Sequence, residues 1–246
     1  DRPAGGHGAN RRGKKMIKVE IRNLEIVKAN IAGVGRQLAY AASRALNATA
    51  KRVADAMPAE IEQSIDRPTP FTKRGVRVLR YANKGNLEAT VGFMDAQARY
   101  MRLQIEGGTR QAGPRGIKLP GNITLNAFGN IPKGVIDQLK AAAKGGGLSN
   151  TIARRLQAGG NRRKGAAPVE LFLGQPRGKG WENAPMGIWR RVEGNPGKLV
   201  PVVVFEKKAA RYRPRFDFRK KAEAVVDRHW QQEFNAALAE AMRTAR

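Results

Sequence analysis

The chain has 246 residues, no cysteine, and 47 Lys and Arg against 20 Asp and Glu, a formal net charge of +27. The missing cysteines exclude a disulfide framework, thiolate zinc sites and cysteine nucleophiles, and no apolar run approaches the ~20 residues of a membrane-spanning helix. Hydrophobic residues, at 41%, supply a core that the 6% of aromatics leaves mainly aliphatic, and so large a cationic excess repels itself unless phosphates or an acidic protein surface answer it.

Residues 1–15 are polar, Gly-rich and basic, without the apolar stretch of a signal peptide, and are expected to form a flexible arm. Met16–Arg22 alternates apolar and polar residues, the pattern of a short edge strand. A helical pattern then runs from about Leu24 to Ile65, with Ile31, Val34, Leu38, Ala42, Ala45, Thr49, Val53 and Ala56 along one stripe. The small residues on that stripe invite close packing, and Pro58 is expected to kink the helix or to start a second one. Asp66–Gly75 has two prolines and reads as a loop.

Val76–Ala82 and Leu87–Phe93, joined by the turn residues Asn83–Asn86, form the clearest unit, a β-hairpin. Asp95 is placed as the N-cap of a short helix over Ala96–Ile105 that ends at Gly107–Gly108. Thr109–Asn130 is a long Gly/Pro/Asn-rich loop with a short strand near Ile117–Leu119. A helix of about a dozen residues follows, Pro132 near its first turn, and Gly145–Gly147 ends it. Leu148–Ala167 holds a weak helix and then the basic, mobile loop Gly159–Gly165. Strands are predicted over Val169–Leu173, Ile188–Val192 and Leu199–Phe205. The terminal helix spans about Phe218–Arg243, with Ala222, Val225, Val226, His229, Trp230, Phe234, Leu238 and Met242 on one face. The order of elements predicts an α+β fold: a mostly antiparallel sheet packed by a long N-terminal helix and a C-terminal helix, with long Gly/Pro-rich loops. It forms a single domain over 16–246, with extended loops near 109–130 and 145–187.

Catalytic chemistry finds little footing. The two histidines are His7 and His229; His229 and Glu233 form an i, i+4 pair, which helix faces produce without any metal. Gly145–Gly147 lacks the Gly-Lys-Ser/Thr of a phosphate loop, and Glu106–Arg110 follows a helix, so it reads as a cap and turn. Glu60, Glu62 and Asp66 stand near the expected kink and face water, whereas a nuclease needs carboxylates converging on a metal. The expectation is therefore no enzyme, no catalytic residue, no metal and no cofactor.

The cations cluster instead. Beyond the arm they fall on Arg110, Arg115 and Lys118, on Arg154 and Arg155, on Arg162, Arg163 and Lys164, and most densely on Lys207–Lys221. That last run holds Lys207, Lys208, Arg211, Arg213, Arg215, Arg219, Lys220 and Lys221, with Tyr212, Phe216 and Phe218 interleaved. Arginines beside aromatics suit phosphates and stacked bases, and suit acidic protein surfaces equally. The aromatics have a plainer role, pinning the terminal helix to the sheet behind Arg213–Pro214. The candidate partner-contact residues are Arg110, Arg115, Arg162, Arg163, Lys164, Lys207, Lys208, Arg211, Arg213, Arg215 and Arg219.

Three segments together carry a resemblance: Pro68–Gly75 leading into the hairpin; Ala98–Arg110; and Gly187–Arg191 with the Val-rich strand and Tyr212–Phe218. Over roughly residues 20–245 the chain resembles tailed-bacteriophage proteins of the head–tail and tail-completion kind, similar to minor tail protein Z. The resemblance implies a virion structural protein of the neck or tail, made in the host cytoplasm and present as a ring or in several copies. Its partners would be further copies of itself, neighbouring neck and tail proteins and the end of the packaged DNA, with no membrane. It brings no catalytic residues, and it does not account for the basicity. The rival expectation is a basic nucleic-acid-binding protein acting outside any particle; a cryptic nuclease is the remote third.

Overall fold

The computed structural model describes residues 18–22, 35–147, 149, 152–153, 156, 170–192 and 195–244. The expected arm over 1–15, the first turns of the long helix with Ile31 and Val34, and most of 148–169 with Arg162, Arg163 and Lys164 lie outside them. The fold is α+β. The chain divides into two compact units, one built from residues 1–106 and 214–246 and the other from 107–213.

The first unit contains β1 (Lys18–Arg22), α1 (Gly35–Ser64), the one-turn helix α2 (Pro70–Lys73), β2 (Val76–Arg80), β3 (Glu88–Phe93), α3 (Asp95–Ile105) and α5 (Phe218–Arg243). Its three strands are ordered β1-β3-β2, all antiparallel, so β1 is an edge strand as the alternation predicts. Alanine, the best helix former, recurs along α1, and the helix buries two faces at once. Leu46, Ala50, Val53, Met57 and Ile61 share a core with Val76, Val91 and Phe93 of the sheet. Ala41 and Ala45 meet Ala237 and Ala241 of α5. Side chains this small let two helix backbones approach closely, at the cost of little apolar area each.

Three ion pairs show that α1 and α5 run antiparallel, because the α5 partner falls in number as the α1 partner rises. They are Arg44–Glu240 at 3.2 Å, Arg52–Glu233 at 2.9 Å and Glu60–Lys221. The exposed pairs add little stability; the shared apolar surface does the holding. Glu233, which sequence spacing sets beside His229, is thus engaged by Arg52. Phe216 and Phe218 are buried and pack on Phe93, with ring centroids 6.3 Å and 5.4 Å away. They pin the start of α5 to the sheet as expected, whereas Tyr212 belongs to a strand of the other unit.

Four local expectations need correction. Helix α1 passes through Pro58, so no second helix starts there; one lost backbone N–H is outweighed where Met57 and Ile61 on either side are fully buried. Asp66–Gly75 is more than a loop: Thr69 caps α2 by accepting the Thr72 N–H at 3.1 Å, with Pro70 following. Asp95 is the first residue of α3, and the N-cap is Met94, which makes no side-chain cap bond. Met242, expected on the buried face of α5, is 57% exposed, because Ala237 and Ala241 take the close contact with α1.

The second unit contains β4 (Gly108–Arg110), β5 (Ile117–Pro120), α4 (Val135–Ala142), β6 (Leu171–Gly174), β7 (Gly187–Val192), β8 (Asn195–Glu206) and β9 (Ala210–Tyr212). Four strands form an antiparallel sheet ordered β5-β8-β7-β6, and β4 pairs with β9 in a separate ribbon that the sequence did not suggest. The core joins Val202, Val203, Ile188 and Leu171 to Val135, Leu139, Ile152 and Leu156. Helix α4 has 8 residues, fewer than expected, because Gly134, at φ 81°, is its N-cap and Pro132 stays outside. Gly187 lies so close to β8 that a Cβ would stand 2.6 Å from the Val203 carbonyl oxygen. Among the described residues no helix is long and apolar enough to cross a membrane.

Candidate functional site

The described candidate cations of the second unit are Arg110, Arg115, Lys207, Lys208, Arg211 and Arg213, and all are exposed. Lys207 and Lys208 sit in the turn between β8 and β9, where the Glu206 carboxylate accepts the Lys208 backbone N–H at 2.8 Å. On the β4–β9 ribbon, Arg110 is opposite Ala210 and Arg211 is opposite Thr109. Paired residues share a face and neighbours alternate, so Arg110 and Arg211 project from opposite faces. No single flat partner covers both.

Arg215 and Arg219 belong to the first unit and are exposed too. The backbone N–H groups of Arg215 and Phe216 both donate to the Gln104 carbonyl, at 2.7 Å and 3.1 Å, which fixes the approach to α5. Asp217 then caps α5 by accepting the Lys220 N–H at 3.0 Å. Arg219, Lys220 and Lys221 fill the first turn, which holds no acid. Cations at the positive end of a helix dipole are unfavourable by about 0.3–1 kcal/mol each. Lys221 is relieved by Glu60. Among the described residues, none of the candidate cations Arg110, Arg115, Lys207, Lys208, Arg211, Arg213, Arg215 and Arg219 forms an ion pair.

A second basic surface was missed from the sequence. An open groove of about 720 Å³ in the first unit runs between α1 and the β2–β3 hairpin, lined among others by Tyr40, Arg44, Lys51, Tyr81, Asn83 and Lys84. Tyr40, Arg44, Asn47 and Lys51 recur at helical spacing on one face of α1, so half of the groove was visible as a pattern. The other half comes from the hairpin, more than thirty residues on. Asn47 joins the two: its Nδ2 donates to the Ala82 carbonyl at 2.9 Å and its Oδ1 accepts the Ala82 N–H at 2.7 Å. The turn is held in the same way, with Asn83 Oδ1 accepting the N–H groups of Gly85 and Asn86 at 2.9 Å and 2.8 Å. Lys84 Nζ lies 5.0 Å from the centre of the Tyr40 ring, and the Arg44 guanidinium 5.8 Å from it. Arg44 is held protonated beyond its ordinary range, first by its hydrogen bond to the Tyr40 hydroxyl and then by Glu240.

Among the described residues no three His, Asp or Glu side chains gather as a metal site would require. The chain matches no protein-family model, no curated protein and no solved structure.

Proposed function

We propose that the chain is a structural subunit of a tailed-phage neck or tail, assembling in several copies by protein–protein contacts. Its unpaired cations dock onto acidic neighbours or onto the end of the packaged DNA. One observation carries the reading: the segments that bear the resemblance serve as framework. The Thr72 and Tyr100 hydroxyls lie 3.0 Å apart, Gln97 Nε2 donates to the Phe71 carbonyl at 3.1 Å, and Gln104 receives the N–H groups of Arg215 and Phe216. A Cβ on Gly75 would stand 2.7 Å from Gln97 Cγ, so even the glycine of the first segment is fixed by packing. These residues build a scaffold and leave exposed cations on its outside, which is how an assembly subunit divides its sequence.

The test is to reverse charge at Arg213 and Arg215, to Glu, in the producing phage and to cross-link unsubstituted virions in parallel. Cross-links from this chain to neck or tail proteins, and loss of infectious particles from the double variant with the purified chain still folded, are the expected results. Normal particles from the variant, or a chain absent from the virion, would overturn the proposal. The second reading, a basic nucleic-acid binder outside any particle, is favoured by the groove between α1 and the hairpin. Tight nucleic-acid binding at physiological salt by a chain that never enters a particle would decide for it.

A further inference from the structure

The groove between α1 and the β2–β3 hairpin joins three properties: charge without an ion pair, an exposed aromatic face and a fixed frame. Lys51 and Lys84 are exposed and form no ion pair among the described residues. Arg44, by contrast, is already answered by Glu240 at 3.2 Å. Tyr81 is 60% exposed, and its ring meets no other ring or cation among the described residues. Among the described residues no Asp or Glu lines the groove. The frame is set before any ligand arrives, because Asn47 clamps Ala82 and Asn83 ties its own turn. A preformed site loses less ordering entropy on binding. The groove, about 720 Å³ in volume, is open to solvent and not enclosed.

From this geometry we infer that the groove binds single-stranded nucleic acid, with phosphates on Lys51 and Lys84 and an unpaired base stacked on Tyr81. Lysine ammonium groups offer point charges that accept phosphates without a fixed orientation. A bare tyrosine face adds the sequence-tolerant stacking that single-strand binders use. A duplex hides its base faces and gives Tyr81 nothing to stack on. An acidic protein segment matches the lysines but leaves the ring idle. The inference does not rest on the virion reading, since it concerns one surface of one unit.

The experiment is fluorescence anisotropy on the full chain with a labelled oligothymidylate of about 15 nucleotides, across a salt series. A duplex and a poly-glutamate peptide serve as competitors. Lys51→Ala/Lys84→Ala is expected to flatten the salt dependence by about 1.4 in the log–log slope, near 0.7 for each lost phosphate contact. Tyr81→Ala is expected to weaken binding about tenfold, and Tyr81→Phe to restore it, since stacking needs the ring and not the hydroxyl. The charge-matched Lys133→Ala/Lys144→Ala, on exposed positions of the other unit, is expected to cost far less. All these side chains are on the surface, and thermal melting checks that each variant folds. Equal losses from both lysine pairs, an unaffected Tyr81→Ala variant, or poly-glutamate competing as well as the oligonucleotide at equal charge would each overturn the inference.

Discussion

Asn47 does at one position what a longer loop would do with several residues. Its amide satisfies both the N–H and the carbonyl of Ala82, a residue 7% exposed where the hairpin meets α1. Asn47→Ala leaves both backbone groups without their partner, and losing a partner in a buried setting costs about 1–3 kcal/mol. Urea unfolding is expected to show a lowered midpoint with unchanged slope. A midpoint within error of the unsubstituted chain would mean that water replaces the amide without loss. The spacing of Tyr40, Arg44, Asn47 and Lys51 was legible in the sequence; the clamp was not, because its acceptor is a backbone carbonyl thirty-five positions away.

At the scale of the elements, the contact between α1 and α5 depends on small residues. Ala45 and Ala241 are fully buried and Ala237 nearly so. Ala241→Leu puts a branched side chain where no room is left, and overpacking of this kind costs about 1–3 kcal/mol. The expected readout is a lower thermal midpoint, with the helix signal in circular dichroism kept. Periodicity gave both helices and a minority of their buried positions: Ala42, Ala45, Thr49, Val53 and Ala222 are buried as expected, whereas Ala41, Leu46, Ala50, Met57, Ile61, Ala237 and Ala241 lay off the predicted stripes. It failed at Met242, because 3.6-residue spacing selects a face without telling which of its edges meets the neighbour. It passed over α2, although Thr69-Pro70 is the capping signature of a helix start, because two prolines in ten residues outweighed it. The β4–β9 ribbon was illegible for another reason: its strands are three residues each and a hundred positions apart.

For the molecule as a whole, the +27 charge is the dominant fact. Exposed cations without ion pairs repel one another, and salt screens them: the Debye length falls from about 30 Å at 0.01 M to about 8 Å at 0.15 M. The melting temperature is expected to rise over that range, by about 2–4 °C for each kcal/mol of repulsion removed in a chain of this size. A flat or falling curve would show that the native charges are already compensated. Screening helps the isolated chain and weakens its docking, so stability and partner binding should respond to salt in opposite directions.

Local rules acting over a few residues were enough to derive the α+β class, the hairpin and the two long helices. Alternation, helical spacing and the hydration of charge all leave their mark on neighbouring positions. The division into two units, the β4–β9 pairing and the basic groove were decided by tertiary structure alone. Each joins segments that are distant in the chain, and such contacts form only where the packing energy of a buried core offsets the entropy of closing the long loops between them.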